Sequence, residues 1–222
     1  MYWSLKLIGV VAVVSLASEG SVRWSPEKGA VLTYDLTVDF TEGKDVIQMK
    51  GLATEKVTKS SKEKFSVERV VSELGVLVNG QVIPIEDRWI VHRELAPTGV
   101  ILSCQSPSRS EADVSQLTRM TQVVFPDQPV AKGKTWTVDV PTGAKKDKIA
   151  LTFTLLDVST RKDKKVWKIG VAGGKKPGLT VSGAHLVDVA SGELLEQEVT
   201  IGNLSLGDGG ANILAKLTMV RR

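Results

Sequence analysis

The stretch that decides the fold occurs twice in the chain. It reads KGAVLTYDLTV at residues 28–38 and KGKTWTVDVP at residues 132–141. Three residues after the glycine of each copy, large apolar and polar side chains begin to alternate. A period of two is typical of a β-strand with one buried face. We therefore interpret each copy as the first strand of a β unit. Its glycine forms the entry turn, its large apolar residues face a core, and its aspartate, Asp35 or Asp139, points outward.

The similarity between the two copies continues along the chain in the same order. KDVIQMKGLATEKVTKSSKEKFSV and KDKIALTFTLLDVSTRKDKKVWKI each predict a long strand, a charged turn and a second strand led by Phe65 or Trp167. Further on, VLVNGQV (76–82) and VDVASGEL (187–194) each predict two strands joined by a glycine-containing turn. An internal duplication explains this order most simply, and chance similarity between β-rich segments is the alternative.

The other segments favour a mainly β fold. Runs such as FSVERVV and ALTFTLLDV are rich in β-branched and aromatic residues, and Asn79-Gly80 suits a tight hairpin. Alternation with a polar outer face is typical of antiparallel sheets. We expect two similar antiparallel units, over residues 18–109 and 125–222, that form a curved sheet, a half-barrel or a sandwich.

One segment, residues 108–126, has a helical period instead. Its apolar residues recur at near-helical spacing, at Val114, Leu117, Met120 and Val124. Ser110 and Asp113 have the spacing of a weak capping box. The sequence therefore predicts a short helix near 110–122, within a bridging segment at 110–124 between the two β units.

The N-terminal segment MYWSLKLIGVVAVVSLA has the pattern of a secretory signal. Lys6 precedes an apolar run over residues 7–14, and small residues stand at Ser15 and Ala17. We expect cleavage after Ala17, and an uncleaved anchor is the alternative. The apolar run is shorter than the roughly 20 residues of a membrane-spanning helix. We therefore expect a secreted or periplasmic protein that is not integral to the membrane after cleavage.

The chain contains a single cysteine, Cys104, which cannot form an internal disulfide. Secreted eukaryotic domains of this size often carry several disulfides, so a bacterial envelope protein fits better. Cys104 lies in the strand-like stretch GVILSCQS, where we expect it to serve as a small buried hydrophobe.

A short phrase before the second unit carries a resemblance. It consists of a proline, a second proline followed by valine, and a Gly-x-x-Trp group, at Pro126, Pro129, Val130, Gly133 and Trp136. The phrase resembles one in uncharacterised secreted bacterial β-rich proteins of the domain-of-unknown-function kind, and this resemblance implies no particular activity. The expected architecture, a curved antiparallel sheet with an interposed helix, is similar to the half-barrels of periplasmic lipoprotein carriers, at the level of fold alone.

No motif of catalysis or metal binding accompanies the two histidines, His92 and His185. The chain has no Gly-x-Ser-x-Gly elbow, no His-Glu-x-x-His and no cysteine pair. We therefore predict no catalytic residue, no metal site and no cofactor, with both histidines structural or on the surface.

Candidate binding residues are few. Trp136 and Trp167 are candidates for contact with a ligand, although a structural role is the first interpretation of Trp136. Residues 132–176 hold twelve Lys/Arg against four Asp/Glu, and cations at alternate turns of a meander fall at one end of a sheet. The predicted anion-attracting patch consists of Lys145, Lys146, Lys148, Lys175 and Lys176, with solvated turns as the alternative. Export and the scarcity of nearby aromatics argue against nucleic acid as a partner.

Three functions remain open at this point. The first is a non-enzymatic envelope protein that binds a protein, lipid or polymer partner or has a structural role. The second is a carrier of a lipid or another apolar ligand in the concave face of the sheet. The third is an enzyme with an unrecognised site, which requires a cleft where a histidine meets a carboxylate within hydrogen-bond reach.

Overall fold

The computed structural model describes residues 21–79, 81–86, 88–107, 111–142, 148–175, 178–205 and 212–222. The predicted signal segment at 1–17, Ser110 of the predicted capping box and Gly80 of the predicted hairpin turn lie outside these ranges. Within them, no helix is both long and apolar enough to cross a membrane.

Strands dominate the described ranges. The elements are β1 (Val31–Glu42), β2 (Asp45–Ser60), β3 (Phe65–Val78), β4 (Gln81–Pro84), β5 (Trp89–Leu95), β6 (Ile101–Gln105), α1 (Glu111–Met120), β7 (Thr135–Pro141), β8 (Lys148–Arg161), β9 (Lys164–Gly174), β10 (Thr180–Asp188), β11 (Leu194–Ser205) and β12 (Asn212–Arg221). This confirms the prediction of a mainly β protein with one short helix.

All the strands belong to one antiparallel sheet. Its order is β6-β5-β3-β2-β1-β12-β11-β10-β9-β8-β7, and β4 pairs with β3 beside this path. The last strand, β12, returns to pair with the first, β1, so the strands before α1 and those after it share one sheet. The sheet is not closed: its end strands are β6 and β7, and α1 contacts both of them.

Burial along β1 defines the inner face of the sheet. Leu32, Tyr34, Leu36 and Val38 are buried, whereas Asp35 between them is exposed. Asp139 is likewise exposed on β7. These positions confirm the predicted alternation in both copies of the repeated phrase, with each aspartate pointing outward.

The larger core cluster covers the inner face of the second half of the sheet and extends onto β2, β3, β5 and β6 of the first half. The side chains of Phe153, Leu155, Trp167 and Ile169 are fully buried in this cluster, which also includes Met120 at the end of α1. A second, smaller cluster lies on β1, β2, β3 and β12. The two halves therefore share a continuous sheet but pack their inner faces differently.

The two predicted entry turns have the same local structure. Gly29 and Gly133 have φ angles of 86° and 84°, a left-handed conformation that glycine adopts without strain. The amide of Gly29 donates to the carbonyl of Val57 at 2.8 Å, and the amide of Gly133 donates to the carbonyl of Leu155 at 2.7 Å. The turn prediction is confirmed, while the internal duplication itself stays a prediction.

The helix ends earlier than the bridging segment that the sequence predicts. It stops at Met120, and Val124 is buried in extended chain rather than on a helical turn. The amide of Phe125 donates to the carbonyl of Thr98 at 2.7 Å, outside the helical pattern. The β-branched pair before Phe125 and the proline after it favour this extended conformation.

Candidate ligand-binding cleft

An apolar cleft separates α1 from the inner face of the first half of the sheet. It encloses a cavity of about 50 Å³ between the helix and strands β1, β2, β3, β5 and β12. Its walls are mostly aliphatic and include Leu36, Val38, Ala53, Val71, Leu117 and Met219. Such a lining favours an apolar occupant over a polar one.

Apolar side chains continue from the cleft towards one end of the sheet. Phe40 and Trp89 line the cleft and are half-buried. Phe40 lies opposite Ile47, and Val76 lies opposite both Met49 and Ile83, so these residues share the inner face. We call the set Phe40, Ile47, Met49, Val76 and Ile83 the apolar rim. Ile47 and Ile83 expose 54% and 52% of their surface. Val46 and Val82, their neighbours on the opposite face, are exposed to a similar extent, 60% and 53%.

A second cavity, which we call the polar cavity, lies towards the C-terminal end of α1. Charged and amide side chains form part of its walls, and apolar side chains such as Trp24, Phe125 and Leu194 form the rest. It encloses about 60 Å³, and its lining includes Tyr34, Glu55, Arg69, Arg93, Gln122 and Gln197. Arg69, Thr118 and Thr121 line both this cavity and the apolar one. The polar cavity therefore adjoins the apolar cleft along β3 and α1.

A buried charged cluster forms one wall of the polar cavity. Glu55 on β2 accepts a hydrogen bond from Arg69 Nε at 2.6 Å and another from Arg93 Nη2 at 2.7 Å, both at Oε1. The side chains of Glu55 and Arg93 are only 9% and 7% exposed. Two guanidiniums and one carboxylate leave this cluster with one net positive charge.

The cluster shifts the pKa values of its members. Burial acts to raise the pKa of Glu55, but the charges and hydrogen bonds of Arg69 and Arg93 outweigh it and hold the pKa at about 2. Burial is also the largest cause of the raised pKa of Tyr34, followed by the charge of Glu55. Burial, and then the neighbouring Arg69, lowers the pKa of Arg93, although an arginine remains charged at neutral pH.

Hydrogen bonds hold the C-terminal end of α1 to its surroundings. Gln197 on β11 donates from Nε2 to the carbonyl of Thr121 at 2.7 Å. The amide of Ile101 on β6 donates to Gln122 Oε1 at 3.0 Å. The other end of the helix contacts the cleft through the apolar side chains of Val114 and Leu117. The helix is thus fixed at the polar cavity and lies on an apolar surface above the cleft.

The two tryptophans predicted as ligand contacts lie elsewhere in the fold. Trp136 is half-buried on β7, where it stacks on Phe153 with ring centroids 5.9 Å apart and donates from Nε1 to the carbonyl of Val124 at 3.0 Å. Trp167 is fully buried in the core of the second half, and its Nε1 has no hydrogen-bond partner among the described residues. The structure brings neither side chain to the apolar cleft.

The predicted lysine patch is described only in part. Lys145, Lys146 and Lys176 lie outside the described residues. Lys148 at the start of β8 and Lys175 just after β9 are exposed at the same end of these paired strands. The intervening turn, with Arg161 and Lys164, lies at the other end, where Arg161 pairs with Glu196 at 2.8 Å. The patch stays a prediction.

The two histidines differ in their surroundings. His92 is exposed on β5, with Nδ1 3.7 Å from Glu68 Oε2, which is beyond hydrogen-bonding distance. His185 is fully buried on the inner face of β10 beside Phe153, and its two ring nitrogens have no partner in the described part of the chain. Burial lowers the pKa of His185 to about 3, so the ring is neutral near pH 7.

Comparisons with known proteins add no family to this description. No protein-family model matches the chain, and no curated protein matches it. Among the described residues, no group of three or more His, Cys, Asp or Glu side chains is placed to hold a metal ion.

The charged cluster is the feature that sequence reasoning missed. Glu55, Arg69 and Arg93 each occupy an inner-face position between two apolar residues two positions away, in ATEKV, VERVV and VHREL. The sequence does contain a signal for this cluster. In each strand a charged residue stands where the alternation predicts a buried apolar side chain. Three such strands adjacent in one sheet indicate a buried polar cluster.

Proposed function

We propose that this protein is a non-enzymatic envelope protein that binds an apolar ligand, such as a lipid acyl chain, between α1 and the inner face of its sheet. The observation that carries the proposal is the apolar cleft and its continuation into the apolar rim. The predicted secretory signal supports a site of action outside the cytoplasm, and the expectation that the chain is not an enzyme stays a prediction.

The shape of the cleft suits a linear chain better than a compact molecule. Tyr34 lines the polar cavity and Phe40 belongs to the rim, and both are on β1. Their separation of six residues corresponds to about 20 Å along an extended strand. Inner-face aliphatic side chains occupy the positions between them, at Leu36 and Val38. An acyl chain lying along β1 would contact apolar atoms over most of this length.

Binding requires the helix to move away from the sheet. A cavity of about 50 Å³ is smaller than the pockets of a few hundred cubic ångströms that usually hold organic ligands. The apolar contacts of Val114 and Leu117 with the cleft carry no directional requirement, so a ligand chain can replace the sheet as their partner. The hydrogen bonds at Thr121 and Gln122 then serve as the fixed end about which α1 moves.

Straight-chain alcohols test the apolar site without adding a charged group. Delipidated protein is titrated with 1-octanol, 1-nonanol and 1-decanol in a calorimeter. Burial of one more methylene contributes about 0.8 kcal/mol, so the affinity should rise roughly fourfold for each added carbon. No detectable binding, or an affinity independent of chain length, would contradict the proposal.

A matched pair of substitutions tests whether the ligand binds in the cleft. Ala53 is buried and lines the apolar cavity, so Ala53→Leu fills the space that the ligand needs. We expect the affinity for 1-decanol to fall roughly tenfold or more, since the new side chain displaces about two methylenes of the ligand. Ala172→Leu makes the same change at an exposed position on β9 and should leave binding unchanged. Equal effects of the two substitutions would place the ligand elsewhere.

Native mass spectrometry of protein exported to a bacterial periplasm tests the proposal with natural ligands. Extra mass that disappears on denaturation and matches a lipid supports the carrier function. A bare mass for wild type, together with a bare mass for Ala53→Leu, would favour the other binding or structural roles in the envelope.

A further inference from the structure

We propose that Arg69 and Arg93 form a subsite for the carboxylate of a single-chain amphiphile whose tail occupies the apolar cleft. This inference rests on the proposed function and adds the chemical class of the ligand. It comes from the polar cavity, which is adjacent to the cleft and has a different lining.

The positive charge at the polar cavity is only partly balanced. Glu55 is the carboxylate that pairs with both arginines, so one guanidinium charge has no counter-charge within the cluster. Burying an uncompensated charge is strongly unfavourable, and an anionic ligand group would remove much of that cost.

The hydrogen-bond donors of the cluster are also only partly used. All the contacts of Arg69 and Arg93 with Glu55 converge on one oxygen, Oε1. The Nε of Arg93 is buried and has no hydrogen-bond partner among the described residues. Because Arg93 lines the polar cavity, a group placed there lies next to a guanidinium whose hydrogen-bonding capacity is not fully used. A guanidinium is the side chain best suited to hold a carboxylate.

The size and charge of the cavity favour a carboxylate over other headgroups. A volume of about 60 Å³ is room for a few water molecules, each of which needs at least about 10 to 15 Å³. One negative charge balances the net charge of Glu55, Arg69 and Arg93, whereas a phosphate monoester carries about −1.5 to −2 at neutral pH. A cationic headgroup would be repelled.

Ligands that share a ten-carbon chain but differ in headgroup separate the contribution of the headgroup to affinity from that of the tail. Wild-type protein at pH 7.5 is titrated with decanoate, 1-decanol, decyl phosphate and decyltrimethylammonium below their micelle concentrations, and with acetate alone. We expect decanoate to bind about tenfold or more tightly than 1-decanol, as hydrogen bonds to charged groups imply. Decyl phosphate and decyltrimethylammonium should bind less tightly than decanoate, and acetate should not bind measurably.

Substitution of one arginine locates the effect. In Arg93→Gln the remaining pair, Glu55 and Arg69, is neutral, so the affinities for decanoate and 1-decanol should differ by less than about twofold. Arg161→Gln removes an exposed arginine far along the sheet and should retain the full preference. The ¹H–¹⁵N signal of Arg93 Nε in wild type gives a second measurement, because decanoate should shift it and 1-decanol should not.

Each failure has a distinct meaning. Equal affinities for decanoate and 1-decanol in wild type would overturn the carboxylate subsite and leave the proposed function intact. Decyl phosphate binding as tightly as decanoate would overturn the choice of headgroup. If acetate bound as tightly as decanoate, the arginines would bind a carboxylate without any contribution from the tail, and the link between the subsite and the apolar cleft would be overturned. If no ten-carbon ligand bound, both proposals would be overturned.

Discussion

Removing the buried carboxylate of Glu55 should destabilise the fold strongly at neutral pH. In Glu55→Gln, the amide oxygen can still accept hydrogen bonds, but Arg69 and Arg93 lose the negative charge that lies between them. The two guanidiniums then repel each other in a site that is shielded from water. Breaking a buried ion pair by removing one partner typically costs about 3 to 5 kcal/mol.

The pKa of Glu55 gives an independent estimate of the same size. Burial raises the pKa of Glu55, but the two arginines lower it by a larger amount. The net result is a change from 4.5 to about 2 on folding. At about 1.4 kcal/mol for each pKa unit, the ionised carboxylate stabilises the folded state by about 3 kcal/mol. A domain of ordinary stability, about 5 to 15 kcal/mol, would lose a large share of its free energy of unfolding.

The dependence on pH has a definite sign. Because the folded pKa lies below the unfolded one, the contribution of Glu55 is complete well above pH 4.5 and is lost as the pH falls towards 2. Under half of it should remain at pH 3. The difference in stability between wild type and Glu55→Gln should therefore be constant near neutral pH and shrink as the pH falls through 4.5 towards 3. The contributions of other carboxylates cancel from this difference.

Denaturant unfolding followed by tryptophan fluorescence at pH 7, 4.5 and 3 measures this difference. Glu196→Gln is the control, since Glu196 pairs with Arg161 at 2.8 Å on the surface, where solvent screens the interaction. That variant should remain close to wild type at each pH. A loss under about 1 kcal/mol for Glu55→Gln at pH 7, or a difference that does not change with pH, would refute the reasoning.

Three further predictions concern stability. The unfolded chain protonates His185 below pH 6.5 and the folded chain only near pH 3, so this residue should cost wild type up to about 5 kcal/mol across that window; His185→Leu should remove that part of the acid sensitivity in denaturant titrations. Trp136→Phe keeps the stacking but loses the hydrogen bond to the Val124 carbonyl, and should lower the free energy of unfolding by about 1 kcal/mol. Gly99→Ala should destabilise by more than 1 kcal/mol in thermal melts, because φ is 83° and the added Cβ would overlap the Val123 carbonyl oxygen. An unchanged pH profile, an unchanged unfolding midpoint and an unchanged melting temperature would contradict these three in turn.

Alternation in the sequence was enough to predict the strands and the orientation of their side chains. Asp35 and Asp139 point outward, and the apolar residues beside them face inward, because a period of two assigns each residue to one face. The same reasoning located the two glycine turns and the helix. These features are local: each depends on residues that are close together in the chain, so a single sequence is enough to predict them.

The pairing of β1 with β12 could not be predicted in this way. The ladder joins residues such as Tyr34 and Arg221, which lie at opposite ends of the described chain. Alternation specifies which face a strand buries but not which strand lies beside it. The sequence therefore left open whether the two halves form one sheet or two packed sheets, and the structure shows one.

The charged cluster escaped prediction because the usual rule places charges on the outer face. Glu55, Arg69 and Arg93 follow the phase of the buried residues in their strands, and each charge seen alone is a small exception to alternation. They become interpretable together only once β2, β3 and β5 are known to be neighbours. The candidate site thus depends on strand order, which is the property that local pattern specifies least.

The difference between the two halves explains how the fold can keep a cleft. In the second half, Phe153, Leu155 and Trp167 are fully buried on the inner face, and this packing supplies apolar burial that stabilises the whole sheet. In the first half, the ladder between β1 and β12 holds the strands in register, so the inner face there does not need to be filled to the same extent. A buried charge and two small cavities would weaken an isolated β unit, but the adjoining core offsets that cost. The proposed ligand site is therefore located in the part of the sheet whose inner face keeps two small cavities.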